Sequence, residues 1–321
     1  VSPAERAQWA GLMFAQALPA GVPRALLSGR LPQLRIAFFL RANSNLYTTL
    51  GQGRVQFTFY DLWEDFAALL PRLQAQQPHL LVAPAQVLRL IAEAQRAGQI
   101  QLQPLKLFSV AEVLEPQDEQ FIRAAFGLPV AQIYQCTEGF LGITCPHGTL
   151  HLNEEWVHVE PHWLDAERTR FVPLVTDFNR TTQLIVRYRL DDVLRPATEP
   201  CACGNPALAL AAIEGRADDV LYFHAQSDGR LKPIFADFIR RAFLLASPDI
   251  SEYQAVQVGE RLQLAWQVRA PADEPHLQQA LRAELTALCQ QTATVLPALE
   301  FVPYQARPLH AKRRRVSRQP L

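Results

Sequence analysis

The interpretation of this chain depends on one segment, Leu128-Pro129-Val130-Ala131-Gln132-Ile133, and on the residues that follow it, Tyr134-Gln135-Cys136-Thr137-Glu138. The first part is apolar enough to form a buried strand, and the second ends that strand in hydroxyl, thiol and carboxylate groups. An unpaired polar group costs about 1–3 kcal/mol to bury, and ligands bind beyond the carboxyl ends of strands in open α/β sheets. The segment is therefore a candidate binding site. The competing interpretation is a strand end whose Thr137 and Glu138 cap the next turn.

Strands and helices alternate on the N-terminal side of this segment. Apolar runs predict strands at 34–40, 55–60, 80–84 and 106–110. Helical spacing predicts helices at 2–17, 62–77, 85–97 and 116–126. This order predicts an α/β nucleotide-binding domain over residues 1–143, with a doubly wound, mostly parallel sheet. Glu112 and the 134–138 segment should then share one rim, because the carboxyl ends of parallel strands meet there.

The pattern changes after Glu138. Apolar and polar residues alternate over 150–161, 171–177 and 182–194, which predicts a small antiparallel β subdomain at 144–217. Within it lies Arg187-Tyr188-Arg189-Leu190-Asp191-Asp192, whose arginines and aspartates could simply pair with each other.

A third domain, residues 218–321, follows a hinge at Gly215-Arg216-Ala217-Asp218-Asp219. Strands are predicted at 220–224, 253–258, 262–268 and 299–302, and helices at 233–246 and 274–291. That order is the split βαβ plan of a mobile, ferredoxin-like α+β domain. The chain ends in Lys312-Arg313-Arg314-Arg315, which by composition alone is typical of a disordered basic terminus that touches nucleic acid.

Composition excludes several classes of protein. The 321 residues are 49% hydrophobic and 19% charged, as in a soluble globular protein of two or three domains. Basic and acidic residues number 31 each, so no global charge favours a nucleic-acid or membrane partner. No apolar run reaches the roughly 18–20 residues of a membrane span, and no secretory pattern opens the chain. With five cysteines and no secretory context, a cytoplasmic protein without disulfides is expected.

Four of the turn residues with sulfur or imidazole side chains could hold zinc. Cys201 and Cys203 share one turn, while Cys145, His147 and His151 surround another. Three cysteines and one histidine could form a closed, tetrahedral, structural site, with either histidine as the fourth ligand. The competing interpretation is a set of unpaired surface thiols. The other two cysteines, Cys136 and Cys289, lie in apolar contexts typical of packing residues.

Read in order, these motifs resemble the adenylate-forming superfamily, specifically the branch of phenylacetate–coenzyme A ligases and coenzyme F synthetase-like proteins. The 134–138 segment resembles the family's Tyr-x-x-Thr-Glu motif, which implies that Thr137 meets the phosphate of the adenylate and Glu138 holds magnesium. Ser109-Val110-Ala111-Glu112 is similar to the segment that lies along the adenine. By position in the family, the zinc ligands would be Cys145, His151, Cys201 and Cys203.

The resemblance extends to the later motifs. Residues 187–192 resemble Arg-Tyr-Arg-x-Gly-Asp, with Asp191 in place of the glycine, which implies that Asp192 binds the ribose hydroxyls. The hinge motif implies that Arg216 reaches the ribose or phosphate and that Asp218 is the pivot. Lys312 stands where the family has the lysine that activates the carboxylate, although Ala311 replaces the preceding glycine.

The resemblance therefore implies ATP-dependent adenylation of a small carboxylic acid, aryl or phenylacetate-like by default, with magnesium as cofactor. The acyl group would pass to coenzyme A or an amine. Such sites neutralise growing negative charge with a metal and cations. A mobile C-terminal domain would deliver Lys312 for the first half-reaction and withdraw it for the second.

One family feature is missing from the sequence. The family cradles the leaving pyrophosphate with a loop rich in Ser, Thr and Gly, and the nearest glycine pair here, Gly51 and Gly53, is interpreted as a plain turn. The sequence predicts an N-terminally truncated member that is inactive as given. Two alternatives stay open: a non-catalytic nucleotide-binding relative or scaffold, and, less favoured, a zinc-containing nucleic-acid-binding protein. No stacking aromatics are interleaved among the tail arginines, which disfavours the second.

Overall fold

The computed structural model describes residues 2–40, 53–269 and 273–319. Gly51, one of the glycine pair interpreted as a plain turn, lies outside these ranges. The chain divides into two compact units. Unit 1 contains the residues up to Leu190 together with Leu194–Ile213 and Leu309–Lys312, and unit 2 contains Asp191–Val193, Glu214–Pro308 and the residues from Arg313 onward.

The first part of unit 1 is the alternating α/β region that the sequence predicts. Its elements are α1 (Pro3–Ala17), α2 (Val22–Leu27), β1 (Leu34–Leu40), β2 (Val55–Asp61), α3 (Phe66–Gln76), β3 (Leu80–Ala83), α4 (Ala85–Arg96), β4 (Lys106–Val110), α5 (Pro116–Phe126) and β5 (Val130–Cys136). The strands lie in the order β2-β1-β3-β4-β5, and each neighbouring pair is parallel. The mostly parallel sheet is confirmed.

Alternate residues of the central strands face two separate apolar clusters. Leu81 and Leu107 pack with residues of α3, α4 and α5. Leu80 and Phe108 pack on the other face with residues of α1 and α2, including Met13. Helices thus cover both faces of the parallel strands, which explains their continuous apolar runs.

Helix α3 starts later than its spacing predicts. The helix was expected from residue 62, but Asp61 accepts a hydrogen bond from the Trp63 amide and Asp65 is the N-cap, accepting from the Ala67 amide. Two aspartates that bond the backbone locally therefore form a turn before the helix, as short polar side chains do. Trp63 is left 66% exposed in that turn.

The antiparallel strands continue the same sheet. They are β6 (Gly139–Thr144), β7 (Leu150–Leu152), β8 (Val157–Trp163), β9 (Phe171–Asp177), β10 (Ile185–Arg189), β11 (Asp192–Pro196) and β12 (Ala209–Arg216). The sheet has 12 strands in the order β10-β9-β11-β12-β7-β6-β5-β4-β3-β1-β2, with β8 paired to β9. The predicted single run at 150–161 is two strands, because the Trp156 amide donates to the Asn153 carbonyl and turns the chain between them.

Gly142 fixes how closely β6 and β7 approach. A Cβ atom at this position would lie 2.5 Å from the carbonyl oxygen of His151. Only glycine leaves room for β7 here, so Gly142 helps to set the position of His151.

Unit 2 differs from the ferredoxin-like prediction. Its elements are β13 (Leu221–His224), β14 (Leu231–Ile234), α6 (Ala236–Ala246), β15 (Ile250–Val258), β16 (Arg261–Val268), α7 (Glu274–Thr292), β17 (Ala298–Phe301) and β18 (Val316–Arg318). The sheet order is β17-β16-β15-β18, while β13 pairs with β14 in a separate hairpin. A turn at Gly229, whose φ is 69°, sends the chain back along β13, so residues 233 and 234 extend β14 instead of starting the helix.

The basic tail is ordered in the part of it that the structure describes. Arg313 and Arg315 both pair with Glu252, at 3.1 Å and 3.0 Å, and Arg315 is buried. The chain then adds β18 to the sheet beside β15, and Val316 joins the unit 2 core. The expectation of a disordered basic terminus was wrong because a carboxylate on β15 neutralises two of its charges. None of the helices within the described ranges has the length and apolar composition needed to cross a membrane.

Candidate active site and metal centre

The Thr137 and Glu138 pair forms the tip of a tight hairpin between β5 and β6. Cys136 pairs with Gly139 across the hairpin, and the register shifts between Tyr134 and Gln135. Tyr134 is buried in the apolar cluster beneath the antiparallel strands, whereas Thr137 is exposed and Glu138 half-buried. The polar groups therefore carry little burial cost, contrary to the sequence argument, and they are accessible to a ligand.

Cys136 is a packing residue, as predicted. Burial, assisted by a hydrogen bond and the charge of Glu138, raises the pKa of Cys136 to about 12. Burial therefore favours the neutral thiol, as is typical of a packing residue. Cys289 is likewise buried in the unit 2 core.

The Ala111 and Glu112 pair follows β4, the strand next to β5. Glu112 accepts a hydrogen bond from the Gln86 amide at the start of α4, at 3.2 Å. Ala111 has a left-handed φ of 62°, which costs a non-glycine residue about 1–2 kcal/mol. Because β4 and β5 are adjacent and parallel, the structure brings this pair and the Thr137 hairpin to one rim, as expected. The left-handed backbone marks a constrained position at that rim.

An apolar cavity opens beside the hairpin, entirely within unit 1. Its volume is about 630 Å³, including the space at its mouth. Apolar walls come from α1 and from the antiparallel strands, and polar groups including Thr137 stand among them. The residues that matter here are Trp9, Leu12, Phe140, Trp156, Thr137 and Arg180. Arg180 also donates to the Thr137 carbonyl at 2.6 Å, which fixes the hairpin from its other side.

Glu5, in the first turn of α1, holds the loop that carries Arg180. Its Oε1 accepts from the amides of Thr181 and Thr182, at 2.7 Å and 2.9 Å. Its Oε2 accepts from the Thr182 hydroxyl at 2.7 Å and from the Ser2 amide at 2.6 Å. These hydrogen bonds, that of the Thr182 amide foremost, hold the pKa of Glu5 well below its usual range. Helix α1 and the loop therefore stay together as two sides of the cavity.

Unit 2 has its own cluster of charged residues from the predicted nucleotide motifs. Arg216 pairs with Asp191 at 3.1 Å and with Asp218 at 2.9 Å. The hydrogen bond that Arg216 donates to Asp218 raises the pKa of Arg216. Asp192 is the first residue of β11, next to Asp191. Asp191 has no left-handed backbone, so the turn before Asp192 does not require glycine at this position.

Lys312 belongs to unit 1, whereas that charged cluster belongs to unit 2. It is exposed and belongs to the Leu309–Lys312 segment of unit 1. In this segment, the His310 ring stacks on Trp63, with centroids 3.7 Å apart and planes 12° from parallel. Trp63 follows β2, so the segment that carries the lysine is held near a strand end of the parallel sheet.

The four proposed zinc ligands converge in unit 1. The ligand atoms of Cys145, His151, Cys201 and Cys203 all lie within 4.8 Å of one another. The Cys145 and Cys201 sulfurs are 3.7 Å apart, and the Cys203 sulfur is 3.4 Å from Nε2 of His151. Zinc–sulfur bonds of about 2.3 Å in a tetrahedron place sulfurs about 3.8 Å apart, so this donor set fits zinc. The histidine of the cluster is His151 and not His147.

The surroundings orient these ligands. His151 is 3% exposed, and its Nδ1 lies 3.0 Å from the Ala207 carbonyl, which leaves Nε2 to face the sulfurs. The Cys203 sulfur accepts from the Asn205 amide at 3.4 Å. A hydrogen bond from the Thr149 hydroxyl, followed by others from the cluster, lowers the pKa of Cys201 to about 5. A thiolate is the form that binds a metal.

Solved structures with the same fold are found among ligases. The chain is similar to a 2-hydroxyisobutyryl-CoA ligase in its postadenylation state, with a TM-score of 0.68, 18% identity, and coverage of 98% of this chain and 69% of that one. This is the fold of acyl-CoA and acyl-adenylate ligases. Coronafacic acid ligase from Pectobacterium brasiliense gives a TM-score of 0.59 at 13% identity, covering 95% of this chain and 60% of that one.

The ligase fold also occurs in an amide-forming enzyme. Amide bond synthetase McbA from Marinactinospora thermotolerans gives a TM-score of 0.57 at 16% identity, covering 91% of this chain and 62% of that one. No family model matches the chain, and no curated protein matches it in sequence. The likeness shows the fold alone, while membership of the superfamily, the phenylacetate branch, the substrates and the roles of individual residues stay predictions.

Sequence reasoning missed several residues that build the sites. Glu5, Thr181 and Thr182 carried no motif, and their contact joins positions about 176 residues apart. Arg314, treated as part of a basic run, pairs with Asp218 and Asp219. An excess of arginine in the tail and of aspartate at the hinge was the available signal.

Proposed function

We propose that this protein is an ATP-dependent ligase that activates a carboxylic acid as its acyl-adenylate and passes the acyl group to an acceptor such as coenzyme A. The observation that carries the proposal is the apolar cavity whose lining includes Thr137, in a chain with the fold of acyl-CoA and acyl-adenylate ligases. The 2-hydroxyisobutyryl-CoA ligase of that fold was solved with R3-HIB-AMP and, in an open conformation, with 2-HIB-AMP and CoA.

In the proposed first half-reaction, a carboxylate oxygen of the acid attacks the α-phosphorus of ATP. The bond to pyrophosphate breaks, and the acyl-adenylate forms. Negative charge grows on the phosphate oxygens, so the protein's part is to position the reactants and to stabilise that charge. The exposed Thr137 hydroxyl is suited to donate to a phosphate oxygen. Ala111 and Glu112, with Tyr134 packed beneath the hairpin, would form the adenine side of the rim.

Glu138 is proposed to bind magnesium. It is half-buried at the hairpin tip, and a single carboxylate fits this role, because Mg²⁺ is commonly bound by one or two carboxylates together with substrate phosphates. When bound, the ion offsets the charge that develops on the leaving pyrophosphate.

The charged residues of unit 2 and Lys312 complete the proposed roles. Asp192 would accept hydrogen bonds from the ribose hydroxyls, and Arg216 would donate to the ribose or a phosphate. Lys312 would orient the attacking carboxylate oxygen and add positive charge. In the second half-reaction the acceptor, coenzyme A or an amine, attacks the acyl carbon and AMP leaves.

The lining of the cavity favours an acid with a flat, apolar body. Trp9, Phe140 and Trp156 are among its walls, and aromatic rings bind flat apolar groups through their faces and edges. An aryl or phenylacetate-like acid could pack its ring against these aromatic walls, with its carboxylate towards Thr137 and Arg180, which also line the cavity.

We also propose one structural zinc ion at Cys145, His151, Cys201 and Cys203. The donor set and its spacing support this proposal. The nucleic-acid alternative lacks a free basic tail in the described residues, because Arg313, Arg314 and Arg315 are all in ion pairs.

The chain as given is expected to be inactive in exchange, because its sequence lacks the loop that cradles pyrophosphate. The test is therefore ATP–pyrophosphate exchange by the intact protein with that loop present, with a panel of aryl and aliphatic acids, together with binding of a non-hydrolysable aryl-adenylate analogue. Exchange is expected to be highest with flat aryl acids. Glu138→Ala should lower it by about 10²-fold or more, because the magnesium ligand is lost. Glu260→Ala, at a carboxylate whose side chain is 88% exposed, should leave exchange unchanged.

Each outcome has a distinct meaning. Near-normal exchange in Glu138→Ala would remove the proposed magnesium role. Binding of the analogue without exchange would favour the non-catalytic nucleotide-binding relative. A chain that neither binds the analogue nor catalyses exchange would contradict the proposal.

A further inference from the structure

Arg314 grips two consecutive carboxylates of the hinge. Its Nε lies 2.8 Å from Oδ2 of Asp219, and its Nη2 lies 3.1 Å from Oδ2 of Asp218. Both aspartates belong to the single 3₁₀ turn Ala217–Asp219 that follows β12. The forked guanidinium therefore joins the tail to the hinge turn at two points. The compact ammonium group of a lysine could not hold both carboxylates in this way.

Asp218 also binds a second arginine, so the ion pairs form a continuous chain of charges. Its Oδ1 accepts from Nε of Arg216 at 2.9 Å, while its Oδ2 serves Arg314. Arg216 in turn pairs with Asp191 at 3.1 Å. The five side chains thus alternate in charge in the order Asp191, Arg216, Asp218, Arg314 and Asp219, and all five belong to unit 2.

Each part of this charge chain lies where the backbone passes from one compact unit to the other. Asp191 comes directly after the boundary between the units at Leu190. The hinge turn lies a few residues after the boundary between Ile213 and Glu214. Arg314 comes shortly after the boundary between Lys312 and Arg313. Three separate crossings of the backbone are therefore tied together by side chains of a single unit.

The two hinge carboxylates differ in how much they depend on Arg314. Asp219 is 7% exposed, and burial raises its pKa while the nearby Arg314 charge opposes that rise. At Asp218 burial would also raise the pKa, but Arg216 and Arg314 outweigh it and the pKa is lowered. A buried carboxylate needs its charge partner to stay ionised, so Arg314 is the group that holds the hinge turn and the tail together.

We propose that Arg314 is a positioning residue for Lys312. Only Arg313 lies between them, so their Cα atoms lie within about 7 Å of each other even in extended chain. Because Arg314 is fixed to Asp218 and Asp219, the hinge turn limits where the backbone at Lys312 can go. This inference rests on the proposed function, since it assumes that Lys312 acts in adenylation.

The test separates the two half-reactions in the Arg314→Gln variant of the full chain. The rate constant kcat for adenylation should fall by about 10- to 100-fold, because a small misplacement of a reacting group has an effect of that size. The KM for ATP and for the acid should stay within about twofold of wild type, since Arg314 touches neither in this picture. Thioester formation from a preformed acyl-adenylate should be unchanged.

A matched arginine and a conservative variant serve as controls. Arg318→Gln alters an arginine of the same tail that stacks over Tyr222, and adenylation should be unaffected. Arg314→Lys keeps the charge but cannot hold both carboxylates, so it should restore only part of kcat. Amide hydrogen exchange over residues 309–313 should speed up in Arg314→Gln and not in Arg318→Gln, a readout that does not depend on activity.

The inference fails separately from the proposed function. A wild-type protein without adenylation activity would contradict the proposed function, whereas unchanged exchange protection at 309–313 in Arg314→Gln would overturn the positioning role. A rise in KM with kcat unchanged, or an equal loss of both half-reactions, would also overturn it. Should Arg314→Gln fail to fold, Asp219→Asn removes the buried half of the grip and must give the same pattern.

Discussion

Single side chains connect parts of this molecule that are distant in sequence, and Glu5 is the clearest case. One carboxylate receives hydrogen bonds from Ser2, Thr181 and Thr182, and it lies in the same capping box that starts α1. The capping box could be read from the sequence, since serine at the N-cap with glutamate three residues later is its signature. The contact to Thr181 and Thr182 could not, because no local pattern relates residues so far apart in the chain.

Glu5 gives a prediction about pH. Its pKa is lowered on folding, so its contribution to stability is complete above the ordinary carboxyl pKa and is lost as the pH falls through and below that value. Glu5→Gln should therefore lower the melting temperature at pH 7, and the difference from wild type should shrink steadily as the pH is lowered towards 2. Thermal unfolding by circular dichroism across this pH range measures both.

The control for Glu5 is Glu167→Gln, at an exposed carboxylate, which should leave the melting temperature within experimental error of wild type at all pH values. A difference between Glu5→Gln and wild type that stays constant at low pH would show that the charge of Glu5 is not the cause.

At the level of elements, the sequence predicted those parts of the fold that local chemistry specifies. β1, β4 and α5 have the predicted bounds, because continuous apolar runs and the Gly127 C-cap leave little choice. β14 and β18 were missed, since Leu231 and Val316 begin short strands with few apolar residues. β18 pairs with β15, which is distant in sequence, so a tertiary contact overrides the local pattern there. β14 pairs with its neighbour β13 across a short turn, and its proline and lysine hide the strand pattern.

The metal centre gives the prediction at this scale. Purified protein should contain about one equivalent of zinc, and Cys201→Ser should contain much less, because one of four ligands is gone. Chelation should lower the melting temperature of wild type, since the site ties the turn at Cys145 to β7 and to the turn at Cys201. Elemental analysis and thermal unfolding are the measurements.

Cys136→Ser is the matched control, because it removes a thiol that lies outside the cluster and should keep its zinc. Retention of a full equivalent of zinc by Cys201→Ser would refute the assignment. The sequence found the right residue types here but left the histidine open, and only the pairing of β6 with β7 selects His151.

For the whole molecule, the sequence predicted three domains at 1–143, 144–217 and 218–321, with a hinge before the last, whereas the structure divides into two compact units. Residues of the tail return to unit 1 at Leu309–Lys312, which no local pattern indicates. The ligase fold is confirmed by the comparison with solved structures. The residues proposed for nucleotide binding fall in both units, so their joint action stays a prediction that kinetics must test.

Lys312 provides that test. Lys312→Ala should slow adenylation by about 10²-fold or more, because a charge aimed at the transition state is removed, and it should leave thioester formation from preformed acyl-adenylate near normal. Rapid-quench measurement of each half-reaction gives the comparison. Lys232→Ala, at a lysine that donates to the Thr292 carbonyl, is the control, and equal loss of both half-reactions in Lys312→Ala would contradict a role limited to the first.

Gly142 shows how far a small change can reach. The hydrogen atom in place of a side chain leaves just enough room for the neighbouring strand. A single added methyl group would push that strand outward and carry an imidazole away from three sulfurs that the substituted residue never touches. Gly142→Ala is therefore expected to lose zinc although all four proposed ligands are intact, a cause that inspection of the ligands alone would miss.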